Sequence, residues 1–183
     1  MSGVAGRHDG REEDPAQTAV GADLTARVLA ALAAARQTVA VAESLTAGAV
    51  LAELTRPAGA SASVLGGFVV YATELKHTLL GVDEGLLERE GPVHPEVARQ
   101  LAEGVRHTLV VAGRHPDFAL ATTGVAGPAS QGGRPPGTVY LGIARAGHVR
   151  AVELSLTGDR GEIRERTVAC AVRELAREVG LPL

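Results

Sequence analysis

A serine that closes an apolar strand and opens a helical stretch, Ser44 in AESLTAG (42–48), has two chemistries open to it. Its hydroxyl can cap the following helix by accepting a free backbone N–H. It can also act as a nucleophile, with the resulting oxyanion held among helix N-terminal amides. A serine nucleophile needs a base, and YATELK (71–76) offers Lys76 with Tyr71 five residues before it. Lysine serves as a base when desolvation or nearby positive charge lowers its pKa, whereas an arginine guanidinium does not deprotonate in a protein. The choice of residue is informative here, because Lys76 is the one lysine among 18 basic residues and the other 17 are arginine. The alternative is an ordinary solvated helix lysine.

Two further segments suit an anionic substrate. TTGVAGPASQGGRPPGTVY (122–140) follows a strand and is rich in glycine and proline, so its backbone N–H groups can be aimed at an anion. Thr122 and Thr123 add hydroxyls, and Gly124 and Gly127 permit close approach of a ligand. TGDRGEIRERT (157–167) opens the last helix with Asp159, Arg160 and Arg164, and an arginine at a helix start suits phosphate. An ordinary surface loop and a solvated charged turn are the plain readings of these two segments.

The elements that must position these residues follow from periodicity. Residues 23–36 read as an amphipathic helix and 38–42 as a short apolar strand; a helix over 46–56 is stopped by Pro57. VLGGFVVYA (64–72) reads as a strand, ELKHTLL as a short helix closed by Gly81, and PEVARQLAEGVRHTLVVAG (95–113) as a long helix with proline at its first position. DFALATTG (117–124) is another buried strand. GTVYLGIAR (137–145) and HVRAVELSL (148–156) flank Ala146-Gly147, a two-residue hairpin signal, and a final helix runs from about 160 to 179. Five strands interleaved with helices predict an α/β fold with helices on both faces of the sheet, and the hairpin makes that sheet mixed. Open α/β sheets bind ligands beyond the carboxyl ends of their strands, where the first three candidate segments begin.

Composition bounds the alternatives. The 183 residues, 45% hydrophobic, are enough for one domain, read here as residues 21–183 behind a disordered tail over 1–20. A net charge of -3 and only two tyrosines and two phenylalanines argue against a basic nucleic-acid clamp or a base-stacking surface, and no nucleic-acid or membrane partner is expected. One cysteine, Cys170, excludes an internal disulfide framework. The six histidines form no HExxH or similar pair, GxxxxGK[ST] and GxGxxG are absent, and neither metal nor cofactor is expected. The longest fully apolar run, 28–35, is too short to span a bilayer, and no targeting segment is visible, so a soluble, cytoplasmic protein is expected.

AESLTAG, PAGASASVLGGFVVYATELKHTLLGV, TTGVAGP with PPGTVY, and TGDRGEIRERT resemble, in order and spacing over residues 24–180, the CinA C-terminal domain family, the nicotinamide-mononucleotide deamidases. The resemblance implies a three-layer α/β/α sandwich with a mixed, five-stranded sheet and a homo-oligomer, a dimer or larger. It also implies hydrolysis of the carboxamide of nicotinamide mononucleotide to nicotinate mononucleotide and ammonia in pyridine nucleotide salvage, without metal or cofactor. The family serine, tyrosine and lysine fall on Ser44, Tyr71 and Lys76. The substrate-binding threonine and arginine fall on Thr123 and Arg160, with Arg164 the rival, and Thr46, Gly124 and Gly127 complete the implied substrate site. Three positions depart from the family pattern: Leu45 stands where cysteine is usual, Ala47-Gly48 replaces Gly-Gly, and GPVH puts His94 at a position where serine is common. The larger family members carry an N-terminal pyrophosphatase-type domain that the first 20 residues are too few to contain. The alternative is a non-catalytic nucleotide-binding or competence- and DNA-damage-associated module of the same fold.

Overall fold

Large and small side chains alternate along the central strands, and that alternation sorts the helices into two layers. The computed structural model describes residues 22–183, so the tail expected over 1–20 lies outside the described residues. Its helices are α1 (Ala22–Ala35), α2 (Ala49–Thr55), α3 (Thr73–Leu80), α4 (Glu84–Glu90), α5 (Pro95–Thr108) and α6 (Arg160–Glu178). Its strands are β1 (Val39–Glu43), β2 (Val64–Val69), β3 (Phe118–Gly124), β4 (Thr138–Arg145) and β5 (His148–Ser155). They form one sheet in the order β2-β1-β3-β4-β5, in which β2, β1 and β3 are parallel, β4 is antiparallel to β3, and β5 is antiparallel to β4. This is the mixed sheet with helices on both faces that the periodicity predicts, and the three-layer α/β/α sandwich that the resemblance implies.

On one face Val39, Val41, Phe118, Leu120, Val139, Leu141 and Ile143 pack against α1, α2 and α6. On the other, Ala40, Ala42, Ala119, Ala121 and Ala144 meet Val97, Leu101, Ala102 and Val105 of α5. Small residues on this second face let α5 approach the sheet closely. At Gly142 the approach is closest: a Cβ there would lie 1.9 Å from the Ala98 carbonyl oxygen and 2.6 Å from its carbon. Gly142→Ala must therefore push a backbone rather than a side chain, and is expected to cost about 3 kcal/mol, visible as a lower denaturant midpoint at unchanged m-value.

The local chemistry explains where element boundaries depart from expectation. The helix predicted over 46–56 begins only at Ala49, because Ala47 (φ 51°) and Gly48 (φ 96°) are in the left-handed region. The helix predicted over 95–113 ends at Thr108; Val111 and Arg114 then pair across a tight turn. Helix α4 went unrecognised, although Asp83 caps it by accepting from the Leu86 amide at 2.6 Å. Among the described residues no helix is long and apolar enough to cross a membrane.

Candidate active site

The parallel strands β1 and β3 end side by side, Glu43 opposite Thr122, and the chain leaving them walls a cavity of about 330 Å³. That volume lies at the low end for small-molecule sites, ~300–1,000 Å³. Ser44, Tyr71, Lys76, Thr123, Gly124, Gly127 and Arg160 all line it. The sequence separates these residues by more than 110 positions; the sheet brings them to one edge.

Lys76 reaches the cavity because α3 turns its polarity inward. Lys76 and Leu80 form the buried stripe of this helix, with Lys76 only 1% exposed, whereas Leu75 and Leu79 are 37% and 44% exposed. Its ammonium donates to the Val70 carbonyl at 2.6 Å and to Ser44 Oγ at 3.2 Å. Among the described residues no carboxylate pairs with it directly. Burial pushes its pKa down from 10.5 to about 8, and the charge of Glu74 opposes that shift only in part. A buried amine whose pKa approaches neutrality and which touches a serine hydroxyl can take that hydroxyl's proton.

Ser44 Oγ meets the lysine, and its neighbour Glu43 caps the helix that follows. The Glu43 carboxylate, 1% exposed, accepts from the amides of Gly48 (2.9 Å), Val50 (3.1 Å) and Leu51 (2.9 Å), where α2 has no side-chain cap from its own N-cap residue. A negative charge at a helix N-terminus is favourable, and charge-assisted bonds compensate its burial. The capping role open to Ser44 in the sequence is thus filled by Glu43. The Ser44 amide donates to the Thr122 carbonyl at 3.1 Å and contacts Thr122 Oγ1 at 3.3 Å, so it is not free for an oxyanion. The amides of Leu45 and Thr46 donate to no acceptor among the described residues, and Leu45 lines the cavity.

Two sequence-predicted substrate contacts lie elsewhere. The Thr46 hydroxyl is buried against Thr122 Oγ1 at 2.8 Å, and Thr46 does not line the cavity. Arg164, one turn into α6, donates from Nε to the Leu45 carbonyl and from Nη2 to the Thr46 carbonyl, each at 3.0 Å. It clamps the serine turn from outside and borders a separate groove of about 810 Å³ between α2 and α6 that contains neither Ser44 nor Lys76. Of the two arginines, Arg160 lines the cavity with Ser44 and Lys76 and Arg164 does not. Arg160, at the first position of α6, spans the cavity mouth, donating to the Gly127 carbonyl at 2.8 Å and to the Tyr71 hydroxyl at 3.1 Å. A capping box of Asp159 and Glu162 sets the helix start that aims it.

Tyr71 is 57% exposed, and its hydroxyl is engaged by Arg160 rather than by the serine or the lysine. The Thr123 hydroxyl donates to the Pro92 carbonyl at 2.6 Å, tying the loop before α5 to the cavity wall. In that loop His94 takes the capping position, its Nδ1 accepting from the Glu96 amide at 3.2 Å. The glycine-rich segment returns on itself through paired Gln131–Arg134 bonds, and Ser130 and Gln131 line the cavity. The sequence reading missed Glu43, whose signal was a carboxylate at the end of an otherwise apolar strand, and Gln131. Among the described residues no three His, Cys, Asp or Glu side chains group together as metal ligands.

Known proteins share both this sequence and this fold. A CinA-like protein of Frankia casuarinae is 42% identical over 179 residues, 93% of this chain and 40% of that protein. A CinA-like protein of Mycolicibacterium vanbaalenii is 43% identical over 147 residues, 78% of this chain and 33% of that protein. The chain thus spans well under half the length of these curated relatives. The crystal structure of the competence/damage inducible protein CihA from Agrobacterium tumefaciens superposes with a TM-score of 0.80 at 33% identity, covering 91% of this chain and 98% of that one. The CinA C-terminal domain family itself matches residues 21–179, a span that holds every residue of the cavity wall, and the chain belongs to that family.

Proposed function

We propose that this protein is an amidohydrolase that converts nicotinamide mononucleotide to nicotinate mononucleotide and ammonia through a Ser44–Lys76 pair. The observation that carries the proposal is the 3.2 Å contact between Ser44 Oγ and a buried, carboxylate-free lysine amine at the wall of a ligand-sized cavity. Neutral Lys76 takes the Ser44 proton as Oγ bonds to the carboxamide carbon, and the free amide of Leu45, at the cavity wall, supplies a donor for the oxyanion. Lys76 then gives the proton to the departing nitrogen, ammonia leaves, and an ester to Ser44 remains. Water attacks that ester, its proton passes to Lys76 and on to Ser44 Oγ, and the carboxylate product leaves. The Val70 carbonyl fixes the amine throughout by accepting a hydrogen bond from it.

Arg160 is the phosphate ligand in this reading, since it is the arginine at the cavity mouth, and Tyr71 orients it through their shared hydrogen bond. Ammonia release from nicotinamide mononucleotide by the purified protein tests the activity. Arg160→Ala is expected to raise KM ~10–100-fold with a smaller change in kcat, because a charge-assisted phosphate contact is lost from ground and transition state alike. Calorimetric binding of the mononucleotide with no ammonia released overturns the enzymatic reading in favour of a nucleotide-binding module.

A further inference from the structure

We infer that Gln131 is a specificity-determining residue of the cavity and reads the ribose hydroxyls of the substrate. The inference rests on the nucleotide-amidase reading given above and concerns the part of the substrate that this reading leaves without a partner. Ser44 and Lys76 take the carboxamide and Arg160 takes the phosphate, so the sugar between them needs contacts of its own. Most polar side chains of the cavity wall are already engaged. Ser44 and Lys76 meet at 3.2 Å, Arg160 and Tyr71 meet at 3.1 Å, and the Thr123 hydroxyl is held by the Pro92 carbonyl. Among the described residues, Thr73, Ser130 and Gln131 are the polar lining side chains that have no hydrogen-bond partner in the protein.

Of these three, Gln131 has the longest reach, and its amide carries two donors and one acceptor. A ribose diol both donates and accepts, so it complements such an amide. An ionised phosphate only accepts, and a guanidinium at the cavity mouth already suits it better. The backbone beneath Gln131 is held in place. Gln131 and Arg134 exchange both backbone hydrogen bonds, at 3.1 and 2.9 Å, across Gly132 and Gly133. Those two glycines, with φ of 55° and 74°, form the tight turn that such a pairing needs. At the base of the segment the Gly137 amide donates to the Val125 carbonyl at 2.8 Å, and Arg160 donates to the Gly127 carbonyl at 2.8 Å. The segment after β3 thus fixes where Gln131 stands on the wall and leaves its amide for a ligand.

The test measures ammonia release by wild type and Gln131→Leu, both as the full chain. Gln131→Leu is expected to raise KM for nicotinamide mononucleotide ~10-fold with kcat within about twofold, because a neutral contact made in ground and transition state alike is lost. Its melting temperature is expected to match wild type, since no partner within the fold is removed. Two further probes are the nucleotide with fluorine in place of the 2′-hydroxyl and the 3′-deoxy nucleotide. On at least one of them wild type is expected to lose a similar factor, and Gln131→Leu to differ from wild type by less than about twofold. A loss of the same size on all three nucleotides, or no loss on nicotinamide mononucleotide, overturns the inference. Nicotinamide riboside keeps both hydroxyls and lacks the phosphate, and Gln131→Leu is expected to lower kcat/KM for it ~10-fold as well. An unchanged value there assigns Gln131 to the phosphate and also overturns the inference. In each of these cases the Ser44–Lys76 reading stands. If wild type releases no ammonia from any of the four compounds, the amidase reading fails, and calorimetric Kd values for the same compounds judge Gln131 by the same ratios.

Discussion

Lys76→Met is expected to yield a folded protein whose turnover is reduced by ~10³-fold or more, the loss of a general base from a serine pair. Methionine matches the length of the lysine stem and removes an amine that folding buries at a cost. Holding the Lys76 pKa near 8 in the folded state, against 10.5 when solvated, corresponds to about 3 kcal/mol of destabilisation at pH 7. The sign follows from proton binding: between about 8 and 10.5 the unfolded chain holds the proton that the folded chain has released, so stability rises with pH across that window, and below it the cost is present in full. Against that gain stands the Val70 carbonyl, which loses its donor. The melting temperature at pH 7 is therefore expected to stay level or rise while activity disappears. Lys76→Arg is expected to lose both, because a guanidinium in this buried site keeps its charge and has no carboxylate beside it.

The same amine sets the pH dependence. Only neutral Lys76 accepts the serine proton, so kcat/KM is expected to rise about tenfold per pH unit on the acid side and to level off near pH 8. A profile flat between pH 6 and 8 sinks the base assignment. Because Lys76 is the only lysine, its titration is also readable directly as a single side-chain NMR signal in lysine-labelled protein.

Ser44→Ala is expected to remove ~10⁴-fold or more of kcat, since it deletes the atom that forms the bond to the carbonyl carbon. The fold should tolerate it, because Glu43 and not Ser44 carries the cap of α2. The discriminating measurement is the intermediate. Wild type quenched during turnover should carry a nicotinate-mononucleotide ester, ribose-phosphate included, at Ser44 by mass spectrometry, and Ser44→Ala should carry none. A variant that still releases ammonia at the wild-type rate rules out the serine as nucleophile.

The sheet, its mixed character and both helical layers were readable from the chain because they rest on local periods. Alternation in residues 117–124 and 137–156 and the Ala146-Gly147 turn are contained within short windows. The structure departs from the periods at the start of α2, delayed by the left-handed residues Ala47 and Gly48, and at α4, whose short EGLLERE run carries a weak pattern. Within the site, the sequence left Ser44 open between helix cap and nucleophile, while the lone lysine allowed a base at Lys76, since arginine, used at every other basic position, is unable to supply a neutral amine.

The sequence by itself thus determined which chemistries this protein has the atoms for and which elements it builds. Only the tertiary structure decided which atoms meet. That Lys76 points inward while Leu75 and Leu79 face out, that Glu43 caps α2, and that Arg160 lines the cavity while Arg164 clamps the turn are facts about partners up to 119 residues apart. Helical and strand periods report which face is buried, but not which polar group waits on the other side. Those assignments come from the packing of α3 and α6 against the ends of β1 and β3, where each buried hydroxyl, amine and carboxylate must find a partner.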